Sequence, residues 1–158
     1  MSDRALAIGQ VLADHFRHIH RTVMADTPMS NNALQVESIG FQLYADQVLG
    51  IVVTPWFMNL VLTAIPGQSL PEGRIGDRRT LPTPAGPVDF MIGELPDFGR
   101  LDTCSLFSPM FQFVDHQAAH DTAAAALDAL MQGPPQQPVE PVAVSRRSLL
   151  RGKVRGGA

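Results

Sequence analysis

The chain contains 158 residues, of which 45% are hydrophobic, and it has a single cysteine, Cys104. This composition predicts one globular domain with an ordinary core, and one cysteine excludes an internal disulfide. The net charge of −3 conceals an uneven distribution, because residues 1–140 hold 7 basic and 15 acidic side chains, whereas residues 146–158 hold 5 basic and no acidic ones. A body this acidic is unsuited to nucleic acid and suited to a partner peptide that carries Arg or Lys.

The first predicted element is an N-terminal helix. Apolar residues recur there with the period of an α-helix, at Ala5, Ile8, Leu12, Phe16, Ile19 and Val23. This helix should end before Thr27–Pro28, because the residue that precedes a proline disfavours helical geometry. A strand with one buried face is predicted next, because Ile39, Phe41 and Leu43 alternate with Gly40, Gln42 and Tyr44. Ala45–Gln47 is short enough for a hairpin turn.

The segment Val48–Ile65 is the most unusual, because its 18 residues include no charged side chain. A membrane-spanning helix needs roughly 20 apolar residues and basic flanks. Here Pro55 interrupts the run, the residue types favour strands, and the nearest flanking charges are acidic. We therefore expect two buried strands, Val48–Thr54 and Met58–Ile65, joined at a corner at Pro55, and no integral membrane segment.

Three further elements are predicted before the last helix. Pro66–Pro87 holds five Pro and four Gly residues and is typical of a long surface loop, with a short strand near Arg79–Leu81. Alternation of apolar and polar residues predicts a strand over Val88–Ile92. Arg100–Phe107 is predicted to form the last strand.

A second helix is predicted to begin at Ser108–Pro109, because Ser is a favoured N-cap and Pro suits the first helical position. It should continue to about Met131 and end at Gly133. Its apolar residues form two stripes, the first with Phe111, Val114, Ala118, Ala125 and Ala129, the second with Phe113, Leu127 and Met131. A helix that is apolar on two sides should be covered twice, once by a partner. Residues 133–158 are Pro-rich and then basic, which predicts a disordered tail.

Candidate chemistry is sparse. His116 and His120 stand four residues apart and share one helical face, as metal ligands can, and His15, His18 and His20 cluster beside Asp14. No third ligand is evident, so the histidines are interpreted as solvated surface and no metal is expected. Cys104 has no CxxC partner and is interpreted as a small buried hydrophobe. No catalytic or cofactor motif is present in the sequence, so we expect neither an enzyme nor a cofactor.

The segment Ser145–Arg151 resembles the twin-arginine export motif, with Arg146 and Arg147 followed by Leu149 and Leu150. No apolar segment or cleavage site follows it, so it is not expected to act as an export signal here. Two interpretations stay open. The segment is either an ordinary basic, solubilising tail or a mimic of a partner's signal that occupies the same surface.

Three segments carry specific strings: Val36–Phe41; Val53–Leu60, with Thr-Pro-Trp-Phe-Met-Asn-Leu; and Cys104–Phe111, with Ser-Leu-Phe-Ser-Pro-Met. Together they resemble the HybE/HupJ/HoxT family of assembly chaperones for membrane-bound [NiFe]-hydrogenases, over roughly Leu6–Met131. The resemblance implies a non-enzymatic chaperone that binds the hydrogenase small-subunit precursor, with its twin-arginine signal, before export. The large subunit and other maturation factors are further partners that it suggests. Some relatives carry a rubredoxin-like module with paired cysteines, which this chain lacks.

The implied client determines the candidate binding residues. Arginines of a signal would pair with carboxylates, for which the candidates are Asp46, Glu94, Asp97 and Asp102, all interpreted as loop residues. Apolar signal residues need a hydrophobic surface, for which the candidates are Pro55, Trp56, Phe57, Met58 and Phe113. Asn59 is a polar candidate within the apolar run, and it must be hydrogen-bonded if it is buried. Its amide either pins the backbone at the corner or binds a peptide strand of the client. We expect Trp56 to point inward and Phe57 or Met58 to be reachable. The simpler alternatives are that Trp56 plugs the sheet and that the carboxylates are solvated turn residues.

These observations combine into one prediction. The fold is α+β, with a mostly antiparallel sheet of four to six strands packed by an N-terminal and a C-terminal helix. Residues 1–132 form a single chaperone domain, and residues 133–158 form a flexible basic tail. The N-terminus lacks an apolar signal core, so a cytoplasmic location is expected. Two other functions stay open, a redox or metal-handling factor that uses Cys104 or the His pairs, and a scaffold whose apolar helix mediates oligomers.

Overall fold

The computed structural model describes residues 2–133, and the tail candidates Arg146, Arg147, Leu149 and Leu150 lie outside them. Helix α1 (Ser2–Ile19) continues into a π-helical turn (His20–Met24), and helix α2 spans His116–Gln132. The strands of the described chain are β1 (Glu37–Tyr44), β2 (Gln47–Val53), β3 (Met58–Thr63), β4 (Arg78–Thr83), β5 (Gly86–Met91), β6 (Glu94–Leu95), β7 (Gly99–Arg100) and β8 (Asp102–Phe107). Neither helix of residues 2–133 has the length and apolar character to cross a membrane.

Six strands form one sheet in the order β1-β2-β3-β8-β5-β4, and every pair of neighbours is antiparallel. Strands β6 and β7 form a separate two-stranded ribbon. The two edges of the sheet come close together, so the sheet is curled. The Tyr44 hydroxyl on edge strand β1 donates a hydrogen bond of 3.0 Å to the carbonyl of Pro82 on the opposite edge strand β4. The predicted α+β fold, an antiparallel sheet packed by two terminal helices, is confirmed.

The two helices cover opposite faces of the sheet. On one face, Leu12 and Phe16 of α1 pack with Val48 and Val52 of β2. On the other face, the remaining apolar residues of β2 pack with α2, the set being Leu49, Ile51 and Val53 against Ala119, Ala123, Leu127 and Leu130. All seven residues of β2 are consequently buried. A strand covered on both faces has no position that favours a charge, which explains the uncharged run in the sequence.

A β-bulge in β1 reverses the expected alternation of side chains. Ile39 lies opposite Ile51 and Gln42 lies opposite Leu49, so that two β1 residues face the single residue between them in β2. Gly40 adopts a φ of +67° at this point, which favours glycine. As a result Ile39 packs on the α2 side and Phe41 packs on the α1 side. The prediction that Ile39, Phe41 and Leu43 share one buried face is therefore wrong.

The predicted loop Pro66–Pro87 contains more regular structure than expected. The short strand predicted near Arg79 is confirmed and is longer, because all of β4 pairs with β5 from Arg78 opposite Met91 to Thr83 opposite Gly86. Pro82 and Pro87 face each other in this pair. Pro82 is tolerated because β4 lies at the edge of the sheet, where one side of the strand needs no ladder hydrogen bond.

Helix α2 begins later than predicted. Asp115, not Ser108, is its N-cap, and the Asp115 side chain accepts a hydrogen bond of 2.9 Å from the Ala118 N–H. The preceding segment instead buries Met110 and Phe113 in the core. This burial prevents residues 108–114 from forming a helix. The end at Gly133 is confirmed, with a φ of +77° and an N–H bond of 3.0 Å to the Ala129 carbonyl.

The two apolar stripes predicted for α2 are also wrong. The helix buries one face, formed by Ala119, Ala123, Leu127 and Leu130. Phe111 and Val114 precede the helix and are exposed, whereas Phe113 is part of the core. The late N-cap causes this difference, because a helical pattern extended back to residue 108 assigns loop residues to a helical face.

The contact between α1 and the sheet depends on the ring of Phe41. A Cβ atom on Gly50 of β2 would lie 2.3 Å from Cδ1 of that ring, and a Cβ atom on Gly9 of α1 would lie 2.9 Å from it. The ring is therefore enclosed between two glycines. Neither glycine has space for a side chain unless the ring moves.

We predict that Gly50→Ala lowers the free energy of unfolding by about 1–3 kcal/mol, because it overpacks the Phe41 ring. Urea unfolding of Gly50→Ala, Phe41→Leu and the double variant measures this. The smaller Leu side chain should relieve the clash, so the double variant should lose less stability than the sum of the single losses. Additive losses would contradict the enclosure of the ring.

Candidate functional site

The corner between β2 and β3 is held by the side chain of Thr54. Its hydroxyl oxygen accepts hydrogen bonds from the backbone N–H groups of Trp56 and Phe57, at 3.1 and 2.9 Å. The Thr54 N–H donates to the Phe57 carbonyl at 2.8 Å. The four residues from Thr54 to Phe57 thus form a compact turn whose polar groups are satisfied internally.

Asn31 attaches this corner to the segment that precedes α2. The Asn31 N–H donates to the Pro55 carbonyl at 2.8 Å. Its side-chain amide nitrogen donates to the carbonyls of Met110 and Phe113, at 3.0 and 2.9 Å. The Thr54–Asn59 string and the Ser108–Phe111 string, distant in sequence, therefore meet at one end of the sheet.

The aromatic residues of the corner pack on the end of α1. Phe57 meets Phe16 edge-on at a ring-centroid distance of 5.4 Å, and Trp56 meets both Phe57 and Phe16 edge-on. The other contact of Trp56 is a stacked arrangement with His20 at 6.0 Å. Trp56 and Phe57 are both half-buried, so each contributes to the core and keeps part of its ring accessible.

Met58 and Pro55 are less accessible than the two rings. Met58 is fully buried among residues on the α2 side of the sheet, because side chains alternate along β3 and its neighbour Phe57 takes the α1 side. Pro55 is also buried. We expected Phe57 or Met58 to be reachable, and in the structure Phe57 is partly accessible whereas Met58 is not.

Three exposed apolar side chains lie at the same end of the sheet. Met29 is two residues from Asn31, and Phe111 and Val114 flank Phe113; their exposed fractions are 51%, 54% and 82%. We call Met29, Trp56, Phe57, Phe111 and Val114 the corner surface. Phe113 is not part of it, because its ring is enclosed in the core and meets Phe107 edge-on at 5.1 Å.

Asn59 lies one step along β3 from the corner, on the α1 side of the sheet. Its side-chain oxygen is enclosed and has no hydrogen-bond partner among residues 2–133. The sequence led us to expect a hydrogen bond at this amide, which the described part of the chain does not supply.

The candidate carboxylates Asp46, Glu94 and Asp97 are exposed at the opposite end of β3. Asp46 occupies the β1–β2 turn with a φ of +63°, and Asp97 occupies the β6–β7 turn with a φ of +66°. The length of β3, about 20 Å at 3.3 Å per residue, separates them from the corner surface. The sequence-predicted residues therefore form two groups rather than one site.

Asp102 was expected in a loop, and this expectation is wrong. It lies in β8 with no exposed surface, and its carboxylate accepts from Nε of Arg79 at 2.9 Å and from Nε of Arg100 at 2.6 Å. Arg79 also donates to the side chain of Gln47 at 2.8 Å. Asp102 thus ties β8, β4 and β2 together through arginines of its own chain.

The His pair of α2 binds a carboxylate. His116 Nε2 lies 2.8 Å from a carboxylate oxygen of Glu37 in β1, and His120 Nδ1 lies 3.0 Å from both of them. His116 Nδ1 accepts from the Gln35 N–H at 3.1 Å. No set of three His, Cys, Asp or Glu side chains within residues 2–133 is arranged to hold a metal ion.

The hydrogen bonds of this cluster shift two pKa values. Burial raises the pKa of Glu37, but the hydrogen bonds and charges of His120 and His116 outweigh burial, so the pKa falls below its ordinary 4.5. The hydrogen bond from Glu37, followed by its charge, raises the pKa of His120 above 6.5. The same hydrogen bonds join the start of α2, which carries His116 and His120, to the start of β1, which carries Glu37.

The remaining sequence candidates have ordinary surroundings. Cys104 lies opposite Leu60 and packs against the α2-side core. His20 Nε2 lies 2.9 Å from Oδ1 of Asn32, and His15 meets the edge of the Phe16 ring.

Comparison with known proteins identifies the family. The model of the family described as [NiFe]-hydrogenase assembly chaperone HybE matches residues 7–152. The hydrogenase expression/formation protein HupJ of Bradyrhizobium diazoefficiens is 42% identical, over 94% of this chain and 89% of that protein. Protein HoxT of Cupriavidus necator is 37% identical, over 91% of this chain and 88% of that protein. The chain belongs to the HybE family of [NiFe]-hydrogenase assembly chaperones.

The fold agrees with a solved structure of this family. The solution structure of HybE from Escherichia coli matches with a TM-score of 0.64 and 23% identity, over 87% of each chain. The Thr54–Asn59 corner and the Ser108–Phe111 segment, which carry the resemblance in sequence, adjoin in space through Asn31.

Sequence reasoning about this HybE-family chain did not assign the contacts of three residues that shape the site. His20 belongs to the histidine cluster and Glu37 to the Val36–Phe41 string, but their contacts with Trp56 and with His116 are distant in sequence. Asn31 was missed altogether, because it lies in a segment with no distinctive pattern. The unusual Asn31–Asn32 pair was the single available signal, and it indicates a turn rather than a tie between segments.

We predict that Asp102→Asn lowers the free energy of unfolding by about 3 kcal/mol, because it leaves two largely buried arginines without their counter-charge. The matched control is Asp77→Asn, which removes an exposed ion pair with Arg74 at 3.8 Å and should cost less than about 0.5 kcal/mol. Urea unfolding of both variants measures the difference. Equal losses would contradict a structural role for Asp102.

The Glu37 cluster predicts a pH-dependent contribution to stability. Because folding lowers the pKa of Glu37, its carboxylate stabilises the fold above pH 4.5, and this contribution is lost as the pH falls below that value. Because folding raises the pKa of His120, its protonated ring stabilises the fold below pH 6.5, and this contribution is lost as the pH rises above that value. Glu37→Gln should therefore destabilise the protein more at about pH 5.5 than at about pH 8.5. Urea unfolding at both pH values, with the exposed Glu72→Gln as control, tests this; a loss independent of pH would argue against it.

Proposed function

We propose that this HybE-family chain binds the small-subunit precursor of a membrane-bound [NiFe]-hydrogenase in the cytoplasm, through the precursor's twin-arginine signal, before export. Residues 1–132 act as the binding domain and perform no chemistry on the client. Family membership supports the role in hydrogenase assembly. The arrangement of carboxylates and aromatic residues on the α1 side of the sheet supports the choice of client.

The carboxylates of the β6–β7 ribbon are suited to the arginine pair of the signal. Glu94 and Asp97 are both exposed, and neither has an ion pair within the described chain. Arg side chains bind carboxylates through charge-assisted, bidentate hydrogen bonds. The excess of acidic over basic residues in the body adds a long-range attraction for a basic segment.

The corner surface is suited to the apolar segment that follows the arginine pair. Trp56 and Phe57 face the α1 side, as does the ribbon, because Leu95 and Phe98 pack in the same cluster as the two aromatic rings. The two sites lie about 20 Å apart along β3. An apolar helix of about 13 residues has this length at 1.5 Å per residue.

Asn59 lies between the two sites. Helix α1 packs against β1 and β2, while Asn59 and its cross-strand partner Ser105 are partly exposed on the same side of the sheet. The proposal rests on this uncovered path along β3, which has the carboxylates of the ribbon at one end and the aromatic rings of the corner surface at the other.

We predict that Glu94→Gln combined with Asp97→Asn weakens binding of a labelled small-subunit signal peptide about tenfold, which corresponds to about 1.4 kcal/mol. The matched control is Asp121→Asn with Asp128→Asn on the exposed face of α2, which removes the same charge from another surface. Fluorescence titration at low salt, where charge pairing is strongest, measures both affinities. A peptide whose arginines are replaced by glutamine should bind both proteins equally.

Two results would contradict the proposal. The first is the absence of peptide binding to the unsubstituted chain at low salt. The second is an equal loss of affinity in the ribbon variant and in the α2 control, because that result would mean that the attraction depends on the overall charge of the protein and not on the position of the carboxylates.

A further inference from the structure

A cleft lies beside the acidic ribbon, between α1 and the chain that follows β3. It has a volume of about 520 Å³. Its lining is mixed, with the apolar residues Ile8, Val11, Ala64, Ile65, Pro66, Leu70 and Phe98 beside the polar residues Thr63, Gln68 and Ser69. Val11 is 56% exposed. The cleft is therefore open to solvent and large enough for two aliphatic side chains.

The edge of the cleft is acidic. Phe98 lines it and also lines a smaller depression of about 330 Å³ together with Glu94 and Asp97. The cleft contains one basic residue, Arg100, and this guanidinium is already bound to Asp102 at 2.6 Å. The charges left to attract a ligand are thus the two carboxylates of the ribbon.

We propose that the occupant of this cleft is the chain's own segment Ser145–Arg151. Arg146 and Arg147 pair with Glu94 and Asp97, and Leu149 and Leu150 enter the cleft and pack on its apolar residues. The sequence of the segment matches the cleft in chemistry and in order, with two arginines followed closely by two leucines. Residues 146–158 hold 5 basic and no acidic side chains, opposite in sign to the ribbon.

The length of chain permits this contact. Gly133 lies close to Pro84, since a Cβ atom on Gly133 would be 2.4 Å from the Pro84 carbonyl oxygen. Twelve residues, 134–145, connect Gly133 to Arg146. They span up to about 40 Å when extended, nearly three times the radius of gyration of about 14 Å expected for a domain of this size.

Docking of this segment would regulate client binding, and this part rests on the proposed function. The segment and a twin-arginine signal present the same groups to the same carboxylates. An intramolecular ligand competes at an effective concentration in the millimolar range. A client signal therefore binds the full chain more weakly than it binds a chain whose own segment is released.

The docking is tested without a client, by nuclear magnetic resonance of the full chain. Arg146→Glu combined with Arg147→Glu should shift the backbone amide signals of Ile8, Val11 and Phe98. Lys153→Glu combined with Arg155→Glu makes the same change in charge outside the motif and should leave these signals in place. A synthetic peptide of residues 143–152, added to the Arg146/Arg147 variant, should return them toward their original positions. Unchanged signals in the first variant, or equal shifts in both, would overturn the proposal.

The competition is tested by titrating the labelled signal peptide into the same three proteins. The Arg146/Arg147 variant should bind it about tenfold more tightly than the full chain, and the Lys153/Arg155 control should not. Equal affinities would overturn competition. If the peptide binds none of the proteins, the proposed function fails, whereas the docking of the chain's own segment is still decided by the amide signals.

Discussion

Strand β2 has no solvent-facing residue, because α1 covers one face of the sheet and α2 covers the other. The rest of the architecture depends on this double burial. It requires an uncharged strand, it requires both helices to lie over the β1–β2 half of the sheet, and it places Phe41 between Gly9 and Gly50 where α1 meets β1 and β2. Since α1 covers one half of its side of the sheet, the other half carries the partly exposed Asn59 and Ser105.

Much of the fold could be predicted from the sequence because local patterns determine it. The apolar period of α1, the uncharged run through β2 and β3, and Gly133 as the end of α2 each have a local physical cause. The bulge at Gly40 could not be predicted, because a single glycine reverses the alternation without changing the composition of the strand. The start of α2 was misplaced for a similar reason, since Ser108 and Asp115 are both good N-caps and tertiary burial of Met110 and Phe113 selects the second.

Some residues of the candidate site could be predicted from the sequence, but their arrangement could not. Trp56, Phe57, Glu94 and Asp97 follow from residue type and family resemblance, but the sequence does not reveal that β3 separates them. Asp102 has the same residue type as Asp97 and a different role, because the strand places it beside Arg79 and Arg100 in the interior. The distinction between an exposed carboxylate and one that holds strands together lies in tertiary contacts.

In the proposed function the client occupies the α1 side of the sheet, whereas the α2 side belongs to the core. Hydrogen–deuterium exchange of the full chain, with and without a hydrogenase small-subunit precursor, locates the client. We expect slower exchange in the precursor complex at Trp56, Phe57 and residues 94–100, and no change at the β4–β5 turn. Protection confined to that turn and to the exposed face of α2 would contradict this location.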